Sequence, residues 1–340
     1  MRRLPSWCVV ASCFALACGA PKPAIRAAGV ASAATAASTP AVASPPESPW
    51  LTALDRDNAL VGKVWDVKAN AFVEPGVALS RLAAAHFILL GERHDNPDHH
   101  RLQGRVVDAL VKAGRRPAVV LEMLELAQQG AIDEYLARRD ATAAGFGAAL
   151  GWEKTSWPPF KDYQPIFDAA FAGKLPIVAG NIAQADAKAL VKQGVAALPP
   201  ERVQELRLAQ PFPAPLEATL VAELRASHCG QLPENLLGPM ALAQHARDAQ
   251  MAVVLARAGA KAGAVLIAGG GHARLDRAVP YYLALDAPGQ STAGLVFREV
   301  QHADTDPQPY LADEGPFDYV WFTPRGSDED PCAAFHAPPK

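Results

Sequence analysis

The segment ILLGERHDNPDHH, residues 88–100, holds three of the chain's nine histidines. Within it Glu92 and His94 follow directly on an apolar run, and the same arrangement recurs three times. Glu122 follows VVL, Asn181 follows IVAG, and His272 follows VLIAGGG. Glu92, His94, Glu122 and His272 are hard-oxygen and imidazole donors. That mix suits a first-row divalent metal with open positions, which would activate water for hydrolysis. Without a metal, a Glu–His pair acts as general base on a water. The plain alternative is a hydrogen-bonded polar cluster that only fixes loops. No HExxH, GxSxG or Walker motif is present, and GGGH lacks the Lys and Ser/Thr of a phosphate loop.

The elements that must carry these groups are four unbroken apolar runs: HFILLGE (86–92), AVVLEM (118–123), PIVAGN (176–181) and AVLIAGGGH (264–272). Continuous rather than alternating hydrophobicity fits strands buried on both faces of a parallel sheet. Helical patterns between the runs place the chain in the α/β class, with a parallel core flanked by helices. AGLVFREV (293–300) and FDYVWF (317–322) extend the sheet. In such a sheet the carboxyl ends of the strands form the ligand crevice, so four strands deliver polar groups to one edge.

Asn96-Pro97 reads as an N-cap followed by proline at the first helical position. In the helix that follows, Leu102, Val106 and Leu110 face the core, His100 lies near the strand tip and His99 faces solvent. Two stretches, about 124–165 and 184–250, are longer than a crossover needs. The second contains several proline-broken helices and reads as a smaller lobe over the strand tips. Its last helix offers Gln244, Arg247 and Asp248, with Gln244 and Asp248 one turn apart. These three, with His100 and Asn181, are the expected ligand-pocket residues.

The two ends read differently. Residues 1–18 carry Arg2 and Arg3, an apolar run too short for a membrane span, and Leu16-Ala17-Cys18-Gly19, a lipoprotein-like box in which Cys18 is acylated. Residues 19–49 are Ala, Ser, Pro and Gly with almost no large apolar side chain, a flexible tether. The folded part spans 50–323, and the tail 324–340 reads as disordered. Cys229 and Cys332 remain after the leader. An oxidising compartment would join them, but the position of Cys332 in the loose tail favours two free thiols. A formal net charge of −3 and the lack of a basic stripe exclude a nucleic-acid partner.

ILLGERHDNPDHHRLQ, VVLEM, YQPIFDAAFAGKLPIVAGN, MALAQHARDAQMA and VLIAGGGHARLDRAVPYYL together resemble the ChaN family of iron-regulated, haem-binding lipoproteins, within the haem-uptake and Tiki-like superfamily. The resemblance runs in order from about residue 60 to 300. It implies a parallel-sheet domain with a smaller helical domain, a haem site that two subunits can share, and a role in bacterial iron acquisition. Handover to an outer-membrane receptor would follow. Haem needs an axial ligand, for which Tyr163 in YQPIF, His100 and His228 are candidates. The Tiki-like members are metal-dependent proteases marked by two G-x-x-H motifs, which Gly91 to His94 and Gly269 to His272 match. Erythromycin-esterase-like relatives use a similar Glu and His site. Localisation is expected at the periplasmic face of the bacterial outer membrane, the alternative being a soluble periplasmic or secreted protein.

Overall fold

The structure is a computed structural model and describes residues 50–302, 304–313, 315–330 and 332–333. The leader with Cys18, the tether 19–49 and the last residues of the tail lie outside the described residues.

The described strands are β1 (Val64–Asp66), β2 (Ala71–Val73), β3 (Phe87–Glu92), β4 (Ala118–Glu125), β5 (Ile177–Asn181), β6 (Ala264–Gly269), β7 (Thr292–Glu299) and β8 (Tyr319–Thr323). They form one sheet in the order β2-β1-β8-β7-β3-β6-β4-β5. From β8 to β5 every neighbouring pair is parallel, while β1 and β2 add an antiparallel edge. The helices are α1 (Pro75–Leu82), α2 (Pro97–Lys112), α3 (Gln129–Leu136), α4 (Ala143–Ala149), α5 (Phe160–Ala172) and α6 (Gln184–Gln193). They continue with α7 (Pro200–Glu205), α8 (Ala214–Ser227), α9 (Glu234–Ala258), α10 (Gly270–Ala273), α11 (Val279–Asp286) and α12 (Gln308–Asp313).

The unbroken apolar runs have a direct cause. Successive strand residues point to opposite faces, and both faces are covered. Ile88, Leu90, Val119, Leu121, Val265 and Ile267 join residues of α1, α2, α4 and α5 in one core. Phe87, Leu89, Val120, Leu266 and Ala268 join residues of α6, α9 and α11 in the other. Each such side chain contributes about 1.5–3 kcal/mol on burial. A separate small cluster of Leu220, Leu224, Leu237 and Ala241 holds α8 to the start of α9. Within the second long stretch only this part packs apart, since α6 and most of α9 join the main core. The first stretch instead packs Phe146, Trp152 and Phe160 into the main core.

Asn96 caps α2 as expected, its side chain accepting from Asp98 N at 2.9 Å, with Pro97 in the first turn. Asp98 is fully buried and accepts from Leu51 N, Thr52 N and Thr52 Oγ1, which straps the start of the domain to α2. Gly104 sets how closely α2 and α5 approach. A Cβ there would stand 2.6 Å from the Pro165 carbonyl oxygen, so any side chain would push Tyr163 away from α2.

The tail departs from its expected disorder. Arg325 pairs with Leu54 in an antiparallel bridge and forms an ion pair with Asp55. Cys332 is not free either: it is joined to Cys229, with a Cα–Cα distance of 5.7 Å. Polar composition made the tail look loose, but an antiparallel bridge, a guanidinium–carboxylate pair and a covalent bond just past the end of α8 dock it.

Candidate functional site

β3 and β6 run side by side with Glu92 opposite Gly269, so the polar ends of the strands reach one edge together. Glu92 is fully buried and uses both oxygens. His94 Nδ1 and the Tyr163 hydroxyl reach Oε1 at 2.8 and 2.9 Å, and His100 Nδ1 reaches Oε2 at 2.8 Å. His100 Nε2 lies 2.9 Å from the His94 carbonyl. Both His100 ring nitrogens therefore face acceptors, and the ring carries both protons. Burial pulls His100 down, yet the Glu92 charge and hydrogen bond raise it on balance. Burial pushes Glu92 up, but the His100 charge and the bonds from His100 and His94 hold it far below the usual carboxylate range.

Glu122 sits on β4, on the far side of β6 from Glu92, with a different environment. Gly269 N donates to Oε2 at 2.8 Å, a consequence of β6 turning directly into α10. Three cationic groups stand further off: His272 Nε2 at 3.4 Å, His94 Nε2 at 3.9 Å and Arg247 Nη1 at 4.0 Å. His272 Nδ1 donates to Asp248 Oδ1 at 2.6 Å, so α9 orients the ring that α10 presents. Burial lowers His272, but Glu122 and Asp248 outweigh it and raise the imidazole to about 10. Burial raises Glu122, while His272, His94 and the Gly269 N–H bring it to about 2. Burial likewise lowers His94, but the Glu92 hydrogen bond and the Glu122 charge lift it to about 8.

The structure thus brings Glu92, His94, His100, Tyr163, Glu122, Arg247, Asp248 and His272 together. Asn181 supports them from β5, donating through Nδ2 to the Glu122 carbonyl at 2.9 Å while its buried Oδ1 has no partner among the described residues. The Gln244 Oε1 atom is likewise buried and unpartnered. His228 is elsewhere, closing α8 with Nδ1 2.8 Å from the Leu224 carbonyl.

Two readings of single residues change. His99 does not face solvent. It is fully buried, accepting from Arg93 N at 2.9 Å and sitting 2.9 Å from Thr323 Oγ1, because β8 closes over the first turn of α2. Burial and the neighbouring His100 charge drive it down to about 3, so it is neutral. Tyr163 is not placed to be an axial ligand. It is fully buried, stacked on His100 at 3.7 Å between ring centroids, and its hydroxyl is committed to Glu92. Burial and the Glu92 charge push that hydroxyl far above its ordinary range, against the phenolate that iron would take. One contributor carried no signal in the sequence: Trp157 lays its ring against His94, 4.9 Å between centroids, from the loop before α5.

Two cavities open at this edge and share His94. The larger, about 840 Å3, lies among β3, β7, the end of α8 and the C-terminal segment, with both disulfide cysteines in its wall. The smaller, about 360 Å3, lies between α6 and α9 above Glu122.

The donor set does not form a metal centre. Both Glu92 oxygens are taken by His94, Tyr163 and His100, and the Gly269 N–H occupies Glu122 Oε2. Among the described residues no group of three or more His, Cys, Asp and Glu side chains is arranged to hold a metal ion.

Fold and site define a mostly parallel α/β protein with a ligand edge of buried His–carboxylate pairs. Residues 78–283, more than half the chain, match the family described as haem-binding uptake, Tiki superfamily, ChaN, and the chain belongs to that family. A structure titled as cofacial haem binding to ChaN of Campylobacter jejuni is similar at 22% identity and TM-score 0.59, covering 76% of this chain and 95% of that one. The type III effector HopBA1 (13% identity, TM-score 0.39, 73% and 92% covered) is a more remote likeness. So is an erythromycin esterase, EreC (15%, 0.36, 66% and 72%). A search of curated proteins returns no match.

Proposed function

We propose that this chain is an exported haem-binding lipoprotein of iron acquisition, and that it takes haem in the larger cleft. Family membership and the titled binding of the Campylobacter jejuni structure support haem as the ligand. The observation that carries the placement is His94. Its Nδ1 is tied to the Glu92 carboxylate at 2.8 Å and its side chain lines the cleft. A ring held by a carboxylate through one nitrogen is the usual arrangement of a metal-ligating histidine, with the other nitrogen left for iron. Val296, Phe297 and Val300 also line the cleft, as do Arg93, paired with Asp95 and Glu299, and Arg325, paired with Asp55 and Asp328. When bound, haem supplies the iron; the protein's own residues fix the His94 ring, keep its backbone rigid through His100, and shield one face. Acylation of Cys18 and an oxidising compartment agree with the Cys229–Cys332 disulfide. A haem-linked homodimer that delivers to an outer-membrane receptor completes the reading.

Hemin titration of the purified chain tests it. A saturable, shifted Soret band that His94→Ala removes and Tyr163→Phe leaves in place is expected. A spectrum no different from free hemin overturns it. Palmitate labelling that disappears in Cys18→Ala tests the anchor.

A second reading, hydrolysis, is favoured by one observation. Glu122 faces two imidazoles and keeps unfilled acceptor capacity at the floor of the smaller cavity. A water there can bond to the ionised Glu122, a weak base at about 2, beside the protonated His272 as an acid, without any metal. Loss of ester or peptide turnover in both Glu122→Gln and His272→Asn, with hemin binding intact, would select it.

A further inference from the structure

The smaller cavity has a composition of its own. α6 contributes Gln184, Lys188 and Val191, spaced four and three residues apart, and α9 contributes Met240, Ala243, Gln244 and Arg247 at the same helical spacing. Two facing helical stripes therefore make its walls, with Glu122, His94 and His272 below. Arg247 is the unusual member. Its side chain is only 23% exposed, yet among the described residues it donates no hydrogen bond, and its nearest acid, Glu122, is 4.0 Å away. A largely buried guanidinium with open donors is costly unless something accepts from it. Lys188 likewise has no ion-pair partner among the described residues. The Gln244 amide ends in a buried unpartnered atom and can present either an acceptor or, once flipped, a donor.

Charge and shape narrow the ligand. Lys188, Arg247 and the raised His94 and His272 imidazoles outnumber Glu122 in the lining, so an anion is favoured there, and an oxygen placed on Arg247 and Lys188 stays clear of Glu122. The planar guanidinium matches a carboxylate's two oxygens. Val191, Met240 and Ala243 offer an apolar surface beside it. The volume of about 360 Å3 admits a small molecule.

We propose that the α6–α9 cavity binds a carboxylate borne on a short apolar chain, the carboxylate on Arg247 and Lys188 and the chain against Val191, Met240 and Ala243. This site adjoins the haem cleft at His94, but the residues proposed to hold its ligand line the smaller cavity only.

Calorimetric titration of the full chain with sodium hexanoate tests the assignment, with hexanol and inorganic phosphate as controls. One saturable hexanoate site per chain is expected, weakened about 10-fold or more by Arg247→Met and by Lys188→Glu, with hexanol silent. Lys188 is exposed, so its variant keeps the fold even if Arg247→Met does not. The proposal is overturned by any of three results: hexanoate binding no better than hexanol, phosphate binding more tightly than hexanoate, or unchanged hexanoate affinity in Lys188→Glu. Hemin titration of Lys188→Glu keeps the two sites apart: an unchanged Soret response with lost hexanoate binding is the expected pair. Loss of both would overturn the separateness of the site.

Discussion

Glu92 and Glu122 are the same residue type at the tips of β3 and β4, on either side of β6, each beside histidines, and they are used in opposite ways. Glu92 is saturated: three side-chain donors within 2.9 Å, no exposure, a charged ring stacked on tyrosine behind it. Glu122 has one close donor, a backbone N–H, and three cations that stop at 3.4 to 4.0 Å. A carboxylate whose hydrogen bonds are complete holds a structure together. One whose partners stand off, beside a cavity, is free to meet a ligand. Residue type and position along a strand do not separate the two roles; the completeness of the hydrogen bonding does.

The largest test of this contrast is Glu92→Ala. It leaves the doubly protonated His100 buried without its counter-charge and should cost about 3–5 kcal/mol in guanidinium denaturation. Glu122→Gln keeps an acceptor for Gly269 N and leaves Asp248 to balance His272, so it should cost less, about 1.5–3 kcal/mol. Equal losses would break the comparison. Next in size is the alkaline side. His272 is raised from an ordinary 6.5 to about 10 in the fold. Its contribution is therefore complete below pH 6.5 and fades as pH rises toward 10, by up to about 1.4 kcal/mol per pH unit. Asp248→Asn should shrink that fall, which urea melts at several pH values would show. The acid side belongs to His99, whose pKa falls to about 3 in the fold. Its neutral form stabilises fully above pH 6.5, and stability drops as pH falls from 6.5 toward 3, with His99→Gln flattening the slope. The smallest expected effect is Tyr163→Phe, about 1 kcal/mol, because Glu92 keeps two donors when one is removed.

The sheet was legible in the sequence because a strand buried on both faces must be apolar without interruption. That the residues ending the runs gather in one place was legible because parallel strands finish on one edge. The Asn96-Pro97 cap followed from local chemistry alone. His99 was not legible: its burial depends on Thr323, 224 residues away, closing over the first turn of α2. The Tyr163–His100 stack depends on two helices that meet only because Gly104 has no side chain. Lys188 and Trp157 look like ordinary surface residues until α6 faces α9 and the loop before α5 folds onto His94. The tail looked unstructured because its composition is polar, and composition says nothing of one cysteine finding another 103 positions away.

That pairing gives the molecule a mechanical property. The bond between Cys229 and Cys332 encloses α9, β6, α10, α11, β7, α12 and β8 in a covalent ring. A pull applied at the two chain ends passes through the bond and bypasses everything inside. In a single-molecule stretching experiment the oxidised chain would extend only by its residues outside the ring. A reductant would then release a hidden length of roughly 350 Å, from 103 positions at about 3.4 Å each. Two of the sheet's central strands, β6 and β7, lie inside that shielded length, whereas β3, the strand between them, lies outside it and bears the load.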